Sequence, residues 1–164
     1  LAALCGTGGA VLIGVDLKKD RARLERAYDD PEGVTAAFNL NLLARVNAEC
    51  GTDFQLDAFE HRAVYDERHG RIEMHLVSRR DQDVRFPRGD GDDGHTVSFR
   101  AGESIDTEHS YKYDVPGFTA LARRAGLHTE RVWTDAERLF SVFLLRVPAR
   151  VGGGSWAAPR LPRP

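Results

Sequence analysis

The stretch RAVYDERHGRIEMHLVSR, residues 62–79, is where the chain changes its period. Upstream, apolar residues recur every three or four positions; here they alternate. In an extended chain Ile72, Met74 and Leu76 lie on one face and Glu73 and His75 on the other. ERHG ends in glycine and separates two alternating runs, the pattern of a β-hairpin turn. An antiparallel sheet therefore begins near Phe59.

Working upstream, AVLIGVDL (10–17) is a short, nearly continuous apolar run ending in an acid. That is the pattern of a buried strand in a parallel sheet. Asp20 is placed to cap a helix over RARLERAYDD, with Leu24, Ala27 and Tyr28 on one stripe. Pro31 and Gly33 interrupt it. A second helix follows over VTAAFNLNLLARVNAEC, where Val34, Phe38, Leu42 and Val46 predict a core-facing row and Gly51 the stop. Downstream, DVRF reads as a third strand and RGDGDDG (88–94) as an exposed acidic loop. HTVSFR and SIDTEHSYKY complete an antiparallel meander. After Pro116, GFTALARRAG predicts a short helix ended by Gly126, and LHTERVWTD and LFSVFLLRV predict two more strands. Residues 149–164 are aperiodic and rich in Gly, Pro and Arg, so disorder is expected there.

This order of elements gives an α/β fold class: an α/β core from residues 1–19 and 114–148, interrupted by an α+β domain of a helix pair and an antiparallel sheet over 20–113. The 164 residues carry a net charge of -2, which leaves no basic field for nucleic acid or anionic lipid. No apolar run is long enough to span a bilayer. Cys5 and Cys50 give neither a disulfide framework nor a metal-ligand spacing, and a cytoplasmic setting is expected. The six histidines show no zinc-helix spacing, so no metal site is expected. CGTGGA (5–10) precedes a strand, whereas a phosphate-cradling loop follows a strand and opens a helix; it reads as a turn.

The chemistry concentrates in TEHSYKY (107–113). Alternation puts Glu108, Ser110 and Lys112 on one face and Thr107, His109, Tyr111 and Tyr113 on the other. The row is either a solvated polar face or a recognition pair. In the second case a carboxylate and a hydroxyl two residues apart receive both nitrogens of an imidazole and disfavour analogues that lack them. On local evidence Tyr28 is a packing tyrosine with a wet hydroxyl, and Met74 is a core residue.

Taken together, VDLKKD, RAYDDPEGVTAAFNLN, DAFEHRAVYD, RIEMHLVSRR, TEHSYKY and VWTDAERLFSVFLL run in order from about residue 10 to residue 146. They resemble the C-terminal half of the S-adenosylmethionine-dependent histidine Nα-methyltransferases that open the ergothioneine pathway. The resemblance implies part of a Rossmann-like methyltransferase core, with the 20–113 domain closing over the amino acid. It implies that Glu108 and Ser110 bind the substrate imidazole and that Tyr28 binds the substrate carboxylate. It also implies that Met74, with the glutamate, sets the preference for histidine and that Phe38 lines the same pocket. No catalytic residue is assigned. S-adenosylmethionine is the implied cofactor, but the family's glycine motif lies N-terminal to the matching region, so its site is expected mostly outside this chain. The implied partner is L-histidine, with a monomeric enzyme when full length. Starting on Leu1, the chain is expected to be a C-terminal portion with little activity alone. Two alternatives stay open: a non-enzymatic amino-acid-binding module, or a relative methylating another amino acid such as tryptophan.

Overall fold

In a computed structural model, residues 1–87 and 94–149 are described. Most of RGDGDDG and nearly all of the 149–164 tail lie outside them, and the two expectations made there go with them. The chain divides into two compact units, one of Lys18–Tyr113 and one of Leu1–Leu17 with the residues from Asp114 onward. No described helix is long and apolar enough to cross a membrane.

In the Lys18–Tyr113 unit, α2 (Arg21–Tyr28) follows the short α1 (Ala2–Cys5) and β1 (Ala10–Asp16) of the other unit. Asp20 caps α2 as expected, its carboxylate accepting from the Arg23 amide at 3.0 Å. Then come α3 (Val34–Cys50), β2 (Phe59–Asp66) and β3 (Arg71–Ser78), with Gly70 in the hairpin turn at φ 65°. The β-hairpin β4 (Gln82–Phe86) and β5 (His95–Phe99) leads to β6 (Ser104–Tyr111). β3 is the central strand of an antiparallel sheet ordered β2-β3-β6, while β4 and β5 pair only with each other. The expected meander is thus broken: β6 returns to β3 instead of pairing with β5.

Strand β3 alternates as its sequence predicts. Ile72, Met74 and Leu76 are buried, and Glu73 and His75 sit on the wetter face. Burying three such side chains contributes roughly 1.5–3 kcal/mol each. Ile72 and Met74 pack with Leu24, Ala63, Tyr65 and Tyr28. Leu76 joins Leu43, Phe54, Phe59 and Val84 in a second cluster, where Phe54 touches the rings of Phe59, Phe86 and Phe99 at 5.8, 5.7 and 6.2 Å.

Helix α3 corrects the expected row. Val34 and Phe38 are each 68% exposed, and the residues that point inward are Asn39 and Leu43, with Leu40 and Val46 packed beside them. A spacing of four overshoots the helical turn, so a row from position 34 to 46 swings by roughly 120° around the axis and cannot share one face. Gly33 offers no side chain to cap α3. Asp30 does it from outside, accepting from the Val34 and Thr35 amides at 2.9 and 2.8 Å.

The other unit holds an antiparallel sheet ordered β1-β8-β7, with α4 (Val115–Arg124), β7 (His128–Thr134) and β8 (Phe140–Arg146). The parallel pairing expected of β1 is not found among the described residues; its partner is β8, over the full register Ala10↔Arg146 to Asp16↔Phe140. A short apolar run does not encode its partner's direction. One face buries Val15, Ser141, Phe143 and Leu145, with the ring of Phe118 of α4 tilted against that of Phe143, centres 4.7 Å apart. The opposite face is apolar but open, with Leu12 68% and Phe140 46% exposed.

Asp30 gives the fold a pH signature. Its carboxyl is held down from 3.8 to about 2, first by the Thr35 side chain and then by the Thr35 and Val34 amides. A lowered folded pKa stabilises above the unfolded value and is lost as pH falls through the folded one. The deficit of Asp30→Asn in thermal melts should be full above about pH 5, about half that by pH 3, and small near pH 2. Equal deficits at pH 7 and pH 3 would refute the capping role.

Candidate functional site

Tyr28 closes α2 and Ser110 lies near the end of β6, 82 residues later. Their side chains meet: Oη and Oγ are 2.8 Å apart. Lys112, just beyond β6 and 2% exposed, donates from Nζ to Tyr28 Oη at 2.7 Å and to Ser110 Oγ at 2.8 Å. The same ammonium lies 4.5 Å from the centre of the Tyr28 ring. The sequence reading put Lys112 on the right face and gave it no role.

This triangle constrains hydrogen placement. An ammonium only donates, so Lys112 occupies one lone pair on each hydroxyl. The Tyr28–Ser110 contact then uses one of the two hydroxyl hydrogens, and one is left to point outward. A ligand drawing a hydrogen from both hydroxyls must break the 2.8 Å bond between them.

Cross-strand pairing places the other candidates. Ser110 is opposite Ile72 and Glu108 opposite Met74, so both share the helix-covered face of β3. The register slips between Met74 and His75, leaving Thr107 as an extra residue in β6. This bulge overrides the expected alternation. Thr107 donates to the Met74 carbonyl at 2.9 Å and, with Glu108, faces a cavity of about 220 Å³. The cavity is also lined by Phe38, Asn39 and Met74. Of the five predicted residues, the structure therefore places Glu108, Met74 and Phe38 on one cavity, and Tyr28 and Ser110 in the adjoining triangle. Glu108 is exposed and makes no hydrogen bond or ion pair among the described residues.

A second network supports Tyr28 from behind. The Asn39 Nδ2 group lies 3.2 Å from the His75 carbonyl and 2.9 Å from His61 Nδ1, and His61 Nε2 lies 2.7 Å from the Tyr28 carbonyl. Both carbonyls can only accept, so Asn39 donates twice and His61 is the tautomer protonated on Nε2. Sequence reading missed Asn39 and His61. The available signal was an asparagine among the apolar residues of AAFNLN.

Gly6, Gly8 and Gly9 precede β1 as a turn, as expected, and the helix before them spans only four residues. Asp66, His69 and Glu73 cluster closely enough to hold a cation; Asp66 pairs with the His69 ring, and Glu73 accepts from Arg71. Cys5 and Cys50 are free thiols.

One family and three relatives bear on the site. The family described as histidine-specific, SAM-dependent methyltransferase matches residues 1–147. Histidine N-alpha-methyltransferase of Mycobacterium tuberculosis is 46% identical over 144 residues, covering 88% of this chain and 44% of that protein. Its counterpart in Mycolicibacterium smegmatis is 47% identical over 137 residues, covering 84% and 41%. Ergothioneine biosynthesis protein 1 of Neurospora crassa is 32% identical over 133 residues, covering 79% of this chain and 14% of that protein. The chain thus spans under half the length of these curated relatives.

Removing the Tyr28 hydroxyl leaves a buried ammonium short of an acceptor. Tyr28→Phe should cost roughly 1–3 kcal/mol in urea denaturation. Tyr111→Phe, whose exposed hydroxyl accepts from Arg71, should stay within about 0.5 kcal/mol. Equal losses in the two variants would contradict the triangle's role.

Proposed function

This chain belongs to the histidine-specific, SAM-dependent methyltransferase family, and from that premise we propose that it is the histidine-binding part of an enzyme that trimethylates the α-amino group of L-histidine. The observation that carries the reading is the convergence of Glu108, Met74 and Phe38 on one cavity, beside the Tyr28–Ser110–Lys112 triangle. Glu108 accepts one imidazole N–H and Ser110 meets the other ring nitrogen. Met74 packs on the ring, Phe38 closes the cavity mouth, and Tyr28 donates to the carboxylate.

The hydrogen count adds a condition. A carboxylate accepts only, so Tyr28 must supply the one outward hydrogen. Ser110 then accepts from the ring, or the bond between the two hydroxyls opens. Held at its ring and its carboxylate, the substrate leaves the α-amine as its free end, and fixing that geometry is how a site without an acid or base at the reacting atom gains rate. S-adenosylmethionine, when bound, supplies the methyl group. Cation–π support for the methylated ammonium falls to Phe38, because Lys112 already lies over the Tyr28 ring.

The finer fold reading belongs to the same proposal. β1 and β7 both run antiparallel to β8, hence parallel to each other, and α4 lies in the connection between them. That arrangement, with an open apolar face at Leu12, supports an edge of a Rossmann-like methyltransferase core into which Lys18–Tyr113 is inserted as the recognition domain.

Isothermal titration of the chain with L-histidine tests the reading. Glu108→Gln should weaken binding about tenfold or more, the worth of a hydrogen bond to a charged acceptor, and L-tryptophan should not compete. Unchanged histidine affinity in Glu108→Gln would sink the proposal.

A further inference from the structure

Asn39 is 3% exposed, polar, and on the wall of the cavity. Its orientation is not free. The His75 carbonyl cannot donate, so the atom 3.2 Å from it is the amide nitrogen, and the second hydrogen of that nitrogen goes to His61 Nδ1. Both donors are therefore committed to the protein. The carbonyl Oδ1 is the one polar atom that Asn39 can turn toward the cavity.

Thr107 beside it is in the same condition. Its hydroxyl hydrogen is committed to the Met74 carbonyl, which leaves lone pairs outward. Glu108 accepts by charge. Three neighbouring side chains on the cavity wall thus present acceptors, two of them by virtue of bonds made to the backbone of β3 at and beside the bulge.

We infer that Asn39 is a specificity-determining residue: locked through His75 and His61, it shows the ligand a carbonyl and never an amino group, and with Thr107 it flanks Glu108 in an acceptor wall that shares the one ring N–H pointing at it, the other ring nitrogen being left to Ser110. The inference rests on the histidine reading and deepens it. An azole with an N–H fits such a wall; a ring of the same shape without N–H leaves buried acceptors unpaired. Asn39 would act on ring choice directly, while His61 acts only through Asn39 and the Tyr28 backbone.

The test compares L-histidine with L-β-(2-thienyl)alanine, whose thiophene has a similar outline and no N–H. Both are titrated against the unaltered chain and Asn39→Ala, with amide spectra recorded for each. The ratio of histidine to thienylalanine affinity should fall about tenfold in Asn39→Ala, as for one lost hydrogen bond. A purely structural Asn39 would weaken both ligands alike, and an unchanged ratio would overturn the inference while leaving the histidine site standing. If Asn39→Ala fails to fold, the unaltered chain decides. Its Asn39 side-chain carbonyl resonance should shift with histidine and stay put with thienylalanine, and equal responses would overturn it. An unaltered chain that binds no histidine removes the histidine reading and this inference together.

Discussion

One buried ammonium ties the recognition unit together. Lys112 reaches the end of a helix and the edge of a sheet at once, through the hydroxyls of Tyr28 and Ser110. A charge this deeply buried is costly unless it is fully hydrogen-bonded, so the two hydroxyls are held where the ammonium needs them. That constraint sets both the position of the end of α2 and the number of hydrogens the site can offer a ligand. The chemistry of the cavity inherits it.

The second constraint comes from the backbone of β3. Its carbonyls at Met74 and His75, on either side of the register slip, take hydrogens from Thr107 and Asn39. A bulge is often a way to re-aim side chains near a functional site. Here it turns Thr107 onto the same wall as Glu108, and in the proposed reading that wall meets the imidazole. Triangle and wall are separate hydrogen-bond systems, joined by His61, which bonds Asn39 on one side and the Tyr28 carbonyl on the other.

Much of the fold was legible because period is a local property. Ile72, Met74 and Leu76 could be assigned to one face from spacing alone, as could the hairpin at Gly70 and the Asp20 cap. Long-range partners were not legible. Nothing in AVLIGVDL specifies that its neighbour is antiparallel, and nothing in HTVSFR says that it leaves β6 to pair with β3. Helix α3 misled because its every-four row of large apolar residues looks more convincing than Asn39 and Leu43, though the latter are its fully buried pair and only Val46 of the row packs on the core. For the site, the strand face of Glu108 and Ser110 followed from alternation. The meeting of Ser110 with Tyr28 did not; the resemblance implied only that the two serve one substrate, at its ring and its carboxylate. Thr107 was assigned to the wrong face because a bulge has no signature in seven residues of sequence.

The central claim is that the face of β3 between Met74 and Glu108 receives a flat, N–H-bearing ring. The chain contains a single methionine, so methyl-13C-methionine labelling gives one signal, and that signal reports from the cavity. On titration with L-histidine the Met74 methyl should shift in a saturable way and show cross-relaxation to the imidazole ring protons. A methionine signal that stays still while histidine binds elsewhere on the chain would contradict the account.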